Sequence, residues 1–149
     1  MTPREFCDKV LAVPVTELGA EAVFENREEV ILQLQYQLFE QSLDGNGNPL
    51  RSPYSDYANT FNQDSYRQRK LKIRGKEITD LFLSGDMFQA MALEVSSTEY
   101  IITSNVEYVD KLAEWANAPI FQLTTESQEV VRLHFLNAAM ARKFQQWIA

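Results

Sequence analysis

The chain has a single cysteine, Cys7, and a single histidine, His134. One thiol cannot form an internal disulfide, so the fold must hold without covalent staples, and a reducing cytoplasm suits it. The histidine has no Cys, His or acidic cluster at ligand spacing around it, which argues against a metal centre. A catalytic thiol needs a neighbouring base, and His134 falls on a different predicted helix, so Cys7 reads as a small buried or half-buried thiol. Glycine is also scarce, at five residues, which leaves little backbone for close approach to a ligand. There is no phosphate-cradling glycine loop, no G-x-S-x-G elbow and no H-E-x-x-H. Asp80 and Asp86 flank a central turn, but paired acids catalyse only where environment separates their pKa values. Local bonding of Asp86 in the turn is the simpler account. No catalytic residue, cofactor or metal is therefore expected. No apolar run approaches the ~20 residues that cross a membrane, and Met1 to Glu5 lack the regions of a secretory signal.

What is present describes an ordinary globular domain. A chain of 149 residues reads as one domain, 1–149, and buries ~68–70% of its unfolded surface. The formal charge of −7 opposes non-specific duplex binding by the whole surface. Thr2-Pro3-Arg4-Glu5 has the form of a capped helix start, with Phe6, Val10 and Leu11 on one face. Pro14 should end this helix within residues 2–13. A longer helix is expected from about Glu21 to Leu43. Its two adjoining stripes are Ile31, Leu34, Leu38 and Leu32, Tyr36, Phe39, Leu43, an arc wide enough for contacts on two sides. The second contact would be another part of the chain or a neighbouring subunit. Asp44-Gly45-Asn46-Gly47-Asn48-Pro49 begins like a calcium loop, but Pro49 and Ser55 occupy the places of its required Gly and Glu. A helix stop followed by turns accounts for it.

The Ser84-Gly85-Asp86 turn, with Leu81 to Leu83 before it and Met87, Phe88 and Met91 after it, predicts a structural hinge in which Gly85 can take a positive φ at no steric cost. Met87 to Met91 suits one helical turn. Ala92–Val95 and Glu99–Thr103 then read as a hairpin closed by Ser96-Ser97-Thr98. Asn105 is placed to cap a helix from Val106 to about Ala116. Thr125 is placed to cap the last helix in a box with Gln128, leading into a Leu133, Leu136, Met140, Phe144, Trp147 stripe. Ile120 to Leu123 is too brief to decide between strand and connector. The class is α+β: a small, mainly antiparallel sheet packed by a long N-terminal helix and a C-terminal helix.

Residues 50–78 form a long polar segment containing Tyr54, Tyr57, Phe61 and Tyr66, which predicts an extended arm that docks on its own core or on a partner. Arg67, Arg69, Lys70, Lys72, Arg74 and Lys76 crowd into ten positions. Without them the chain carries 8 basic against 21 acidic residues, a net of −13. Lys70-Leu71-Lys72-Ile73-Arg74 alternates as in a half-buried or edge strand. Three readings follow: a solvated face, docking on the acidic surface of a partner or identical neighbour, and nucleic acid helped by Tyr66.

Leu81-Phe82-Leu83-Ser84-Gly85-Asp86-Met87-Phe88-Gln89-Ala90-Met91 resembles the L-x-x-[Thr/Ser]-Gly-x-[apolar]-x-x-[small]-[apolar] segment of tail-completion and virion-morphogenesis proteins of tailed bacteriophages, where it also precedes a hairpin. Asp44 to Gly47 with Leu50, Tyr54 and Tyr57 is similar to that family's glycine turn and tyrosine-bearing arm. Ile120-Phe121-Gln122-Leu123-Thr124-Thr125-Glu126-Ser127 looks like its approach to a final helix. Gln122 stands where glycine is common, which bears on the loop geometry, and Ser84 stands where threonine is common. The resemblance implies a non-enzymatic, ring-forming component of the head–tail junction or tail end. Its expected partners are other copies and other virion proteins, its location the virion and, during assembly, the host cytoplasm. The expected contact residues are Tyr54, Tyr57, Tyr66, Arg67, Arg69, Lys70, Lys72, Arg74 and Lys76. The alternatives are a nucleic-acid-binding accessory protein using residues 67–76 and, third, a small hydrolase.

Overall fold

A computed structural model describes residues 1–50, 85–96 and 99–149. Three helices come first: α1 (Pro3–Leu11), α2 (Val15–Glu25) and α3 (Arg27–Phe39). A one-turn helix α4 (Asp86–Gln89) leads into strands β1 (Met91–Val95) and β2 (Tyr100–Ser104), followed by α5 (Val109–Ala116). The chain closes with α6 (Thr125–Val131), a π-helical turn (Arg132–Leu136) and α7 (Asn137–Ile148). The class is α+β, with an antiparallel two-stranded sheet in register from Met91↔Ser104 to Val95↔Tyr100.

The expected helix from Glu21 to Leu43 is two helices. Asn26, at φ −105° and ψ 23°, interrupts it, and its side-chain amide donates to the Ala22 carbonyl at 2.9 Å. An Asn that bonds locally offers the backbone an alternative to the helix, which is why the break falls there. Pro14 fulfils its expected role, since α1 ends at Leu11 and α2 begins just beyond the proline. The C-terminal end of α3 is also earlier than expected. Ser42 turns left-handed at φ 53°, and the Leu43 N–H bonds the Gln37 carbonyl at 3.1 Å.

Two caps differ in position from the sequence expectation. Thr124, not Thr125, caps α6, accepting the Ser127 N–H at 3.1 Å. Gln128 instead donates its side-chain amide to the Leu123 carbonyl at 3.1 Å. Helix α5 starts at Val109 rather than Val106, so Asn105 does not cap it. The stripe expected on the last helix is broken by the π-helical turn, whose extra residue rotates everything after it around the axis. Val131 and Ala139 are buried, while Leu133, Phe144 and Trp147 are exposed. His134 is exposed as well.

The core gathers Val30, Leu34 and Leu38 of α3 with Met87, Met91, Leu93, Ile102, Val109, Ile120, Leu123 and Val131. Each fully buried large aliphatic contributes roughly 1.5–3 kcal/mol relative to exposure. Into this apolar centre α3 inserts one polar side chain, Gln37, with no solvent exposure. Its amide nitrogen donates to the carbonyls of Gln122 at 2.9 Å, Asp44 at 3.2 Å and Leu43 at 3.4 Å. Its amide oxygen accepts the Thr124 N–H at 2.9 Å. One side chain therefore ties the turn after α3 to the connector before α6, satisfying backbone groups that no strand is there to pair.

Candidate interaction surface

The turn after α3 is held from within. Asp44 is buried, and its Oδ1 accepts the N–H groups of Asn46 at 2.8 Å and Asn48 at 3.0 Å. That local bonding occupies the carboxylate as a turn-former, with Gly47 supplying φ 81°. Gly45 packs face to face with the other connector. Its N–H donates to the Pro119 carbonyl at 2.8 Å, and a Cβ there would lie 2.5 Å from the Gln122 Cβ. The non-glycine residues at positive φ are Ser42 and Asn117 among those described. Gln122 therefore needs no glycine conformation; the room that its side chain takes is supplied by Gly45. The segment Ile120–Leu123 is a turn-rich connector rather than a strand.

Helix α3 presents two contrasting faces. Opposite the buried Val30, Leu34 and Leu38, Leu32 is 60% and Tyr36 51% exposed. Beside them, half-buried Phe39 meets Phe88 edge to face, with ring centroids 6.5 Å apart. Gln35 donates to the Phe88 carbonyl at 2.9 Å, fixing α4 against this strip. Leu32, Gln35, Tyr36, Phe39 and Phe88 together line a shallow depression of about 320 Å³. Of the two stripes expected on this helix, Ile31–Leu34–Leu38 faces inward as Leu34 and Leu38, while the other remains largely at the surface. An apolar body with one polar tip, as in Tyr36, is the chemistry that interface anchors share.

A second apolar area lies where α1 meets α7. Helix α1 buries no residue, and Phe6 and Leu11 are exposed, as are Phe144 and Trp147 on α7. Its attachment is polar: the Trp147 indole N–H donates to the Lys9 carbonyl at 3.3 Å, and Lys9 Nζ to the Ile148 carbonyl at 3.2 Å. Cys7 is consequently exposed rather than buried. Between α2 and α7, Lys143 bridges Glu25 at 2.7 Å and Glu21 at 3.0 Å. Those hydrogen bonds, Glu25's first, raise the Lys143 pKa above its ordinary value. Tyr100, half-buried at the start of β2, has its phenol pushed up by burial.

Of the residues expected to make contacts, Tyr54, Tyr57, Tyr66, Arg67, Arg69, Lys70, Lys72, Arg74 and Lys76 lie outside the described residues, as do the arm 51–78 and Ser84. Gly85 is described and has φ 87°, directly before α4, which begins at Asp86. The positive φ that glycine allows is thus taken at this turn. Neither Gln37 nor Thr124 stood out in the sequence, where a Gln within an apolar arc and a Thr beside a second Thr carry no distinguishing signal. Among the described residues, no three His, Cys, Asp or Glu side chains come together as a metal-holding group. Comparison with protein-family models, curated proteins and solved structures found no match to this chain.

Proposed function

We propose that this protein is a non-enzymatic assembly component that acts through contacts between copies of itself, as a ring-forming part of the head–tail junction or tail end of a phage or prophage virion. The observation that carries the assembly reading is the Leu32–Tyr36 strip: two large side chains more than half exposed, side by side on a helix whose opposite face is the core. Covering such a strip with a second copy removes apolar surface from water and orders a stiff aromatic at small entropic cost. Charge supports the same reading. The described residues hold 7 basic against 17 acidic groups, a net of −10, so the remaining cations sit concentrated in residues 51–84. An acidic body and a basic segment on one chain suit head-to-tail contacts, which join two different patches and close into rings. The virion setting rests on the resemblance of residues 44–57, 81–91 and 120–127 to tail-completion proteins.

Light scattering across concentration and salt tests this. The wild-type chain is expected to gain mass with concentration. A Leu32→Asp/Tyr36→Asp variant should stay monomeric with the thermal midpoint little changed, because surface substitutions away from packing cost within about 0.5 kcal/mol. A wild-type monomer at every concentration and salt, or a double variant that still assembles, would sink the proposal. Salt-sensitive binding of single-stranded DNA that disappears in Arg69→Ala/Lys70→Ala/Lys72→Ala would favour the nucleic-acid alternative instead.

A further inference from the structure

Among the described residues the sheet has two strands, and two-stranded hairpins are marginal unless a third strand or a helix supports them. Helices α2 and α3 lie against β1. Strand β2 has β1 on one side and, on the other, a groove of about 300 Å³. Tyr100, Ile102, Phe121 and Leu123 form the apolar part of that groove, with Glu99 and Gln128 at its rim.

The hydrogen-bond phase of the ladder fixes what β2 offers to this groove. The Ser96 N–H donates to the Glu99 carbonyl at 2.8 Å. Alternation from that bond makes Glu94↔Ile101 and Ala92↔Thr103 the bonded pairs of the register. The N–H and C=O groups of Tyr100, Ile102 and Ser104 then point away from β1, and among the described residues no backbone bond outside the hairpin takes them up. Ile102 is 4% exposed, so its outward groups sit where leaving them unpaired is costly. The strand also lacks the usual protections of an edge. Tyr-Ile-Ile-Thr-Ser contains no Lys, no Pro and no bulge, and Ile101 stands 49% exposed on its outer face.

We propose that the outer edge of β2 is a strand-addition site, filled by Lys70–Arg74 of a second copy. The proposal rests on the assembly reading and adds a second contact between neighbouring subunits to that of the Leu32–Tyr36 strip. Lys70-Leu71-Lys72-Ile73-Arg74 lies outside the described residues, and its sequence matches the edge at every second position. Set along β2, Leu71 and Ile73 share the side of Tyr100 and Ile102, above Phe121 and Leu123. Lys70, Lys72 and Arg74 share the opposite side with Ile101 and Thr103. That side also carries Glu99 and, across the ladder, Glu94, both exposed. The added strand supplies donors and acceptors to the open ladder, two aliphatic side chains to the groove, and three cations to an acidic face.

Cross-linking between singly thiolated chains tests it, in the full chain carrying Cys7→Ser. A protein with Thr103→Cys is mixed with each of five partners bearing Lys70→Cys, Leu71→Cys, Lys72→Cys, Ile73→Cys or Arg74→Cys, under mild oxidation. Thr103 is exposed on the solvent face, so that substitution leaves the core intact. Linked heterodimers should form about tenfold faster at 70, 72 or 74 than at 71 or 73, because strand side chains alternate faces and disulfides demand close Cβ atoms. Equal rates at all five positions, or linkage only when both thiols are on one chain, would overturn the proposal. Light scattering on the same samples separates the two readings. Oligomers without the alternating pattern overturn this inference alone, whereas monomers throughout overturn the assembly reading with it.

Discussion

Helix α3 buries Val30, Leu34, Gln37 and Leu38 completely, while α1 buries nothing. Both helices carry an apolar stripe in sequence, so the stripe alone does not separate them. The difference lies in what they meet. Helix α3 is flanked by the sheet, α6 and two connectors, and its one buried polar side chain bonds to both connectors. Helix α1 is completed by its own first turn and rests on α7 through a few polar contacts. Stability is thus concentrated where segments distant in sequence are tied together, and the N-terminal helix is nearly a separate unit.

The largest expected effect falls on the tie itself. Gln37→Leu fills a similar volume yet leaves the carbonyls of Leu43 and Gln122 and the N–H of Thr124 without their partner, while the Asp44 carbonyl keeps the Gly47 N–H at 3.1 Å. Buried polar groups so orphaned cost about 1–3 kcal/mol each before relaxation, and we expect a total near 3–4 kcal/mol. The urea midpoint should fall with its slope unchanged. A loss under about 1 kcal/mol would mean that water replaces the amide without penalty, and the contrast with α1 would collapse.

Next comes the contact that brings the two connectors together. Gly45→Ala would place a Cβ 2.5 Å from the Gln122 Cβ and 3.0 Å from its carbonyl oxygen, so one connector must move. Overpacking of this kind costs typically 1–3 kcal/mol. If the clash is with Gln122, Gly45→Ala should cost distinctly less in a Gln122→Gly background, and the two changes should not add. Strict additivity in chemical denaturation would show that the constraint at Gly45 lies elsewhere.

These two sites also show which parts of the fold were legible in the sequence. The capping box at Thr2, the stop at Pro14, the hairpin and the positive φ at Gly85 were all readable, because each is fixed by neighbours within a few positions. The break at Asn26 was not expected at all and the cap of α6 was expected at Thr125 rather than Thr124, since several residues nearby could do the same local job and packing chose among them. Gln37 was invisible: its four partners lie 6 to 87 positions away, and nothing local marks it. The π-helical turn after Val131 likewise reset the face of the last helix without a Pro or Gly to announce it. For the candidate surface, an arc on α3 too wide for one contact was readable from its apolar spacing, but not that Leu32 and Tyr36 would be the half left outside.

The smallest effect belongs to α1, and it tests the contrast from the other side. Thr2 Oγ1 accepts the Glu5 N–H at 3.2 Å, and Glu5 Oε2 accepts the Thr2 N–H at 2.6 Å. The second bond above all, then the bond to the Thr2 side chain, holds the Glu5 carboxyl below its ordinary 4.5. A lowered carboxylate pKa in the folded state means stabilisation that is fully present above the ordinary value. It is lost as pH falls through the lowered one. The protection of the α1 amides against hydrogen exchange, taken relative to the intrinsic rate at each pH, should therefore fall as acid protonates Glu5, and Glu5→Ala should remove that change in protection. Thr2→Ala should cost about 1 kcal/mol of local helix stability at neutral pH. In both variants the urea midpoint of the core should stay where it was, because α1 contributes no buried residue to it. A core midpoint that followed the α1 amides down in acid would show that the N-terminal helix is bound into the cooperative unit after all, through Lys9 and Trp147 rather than through burial.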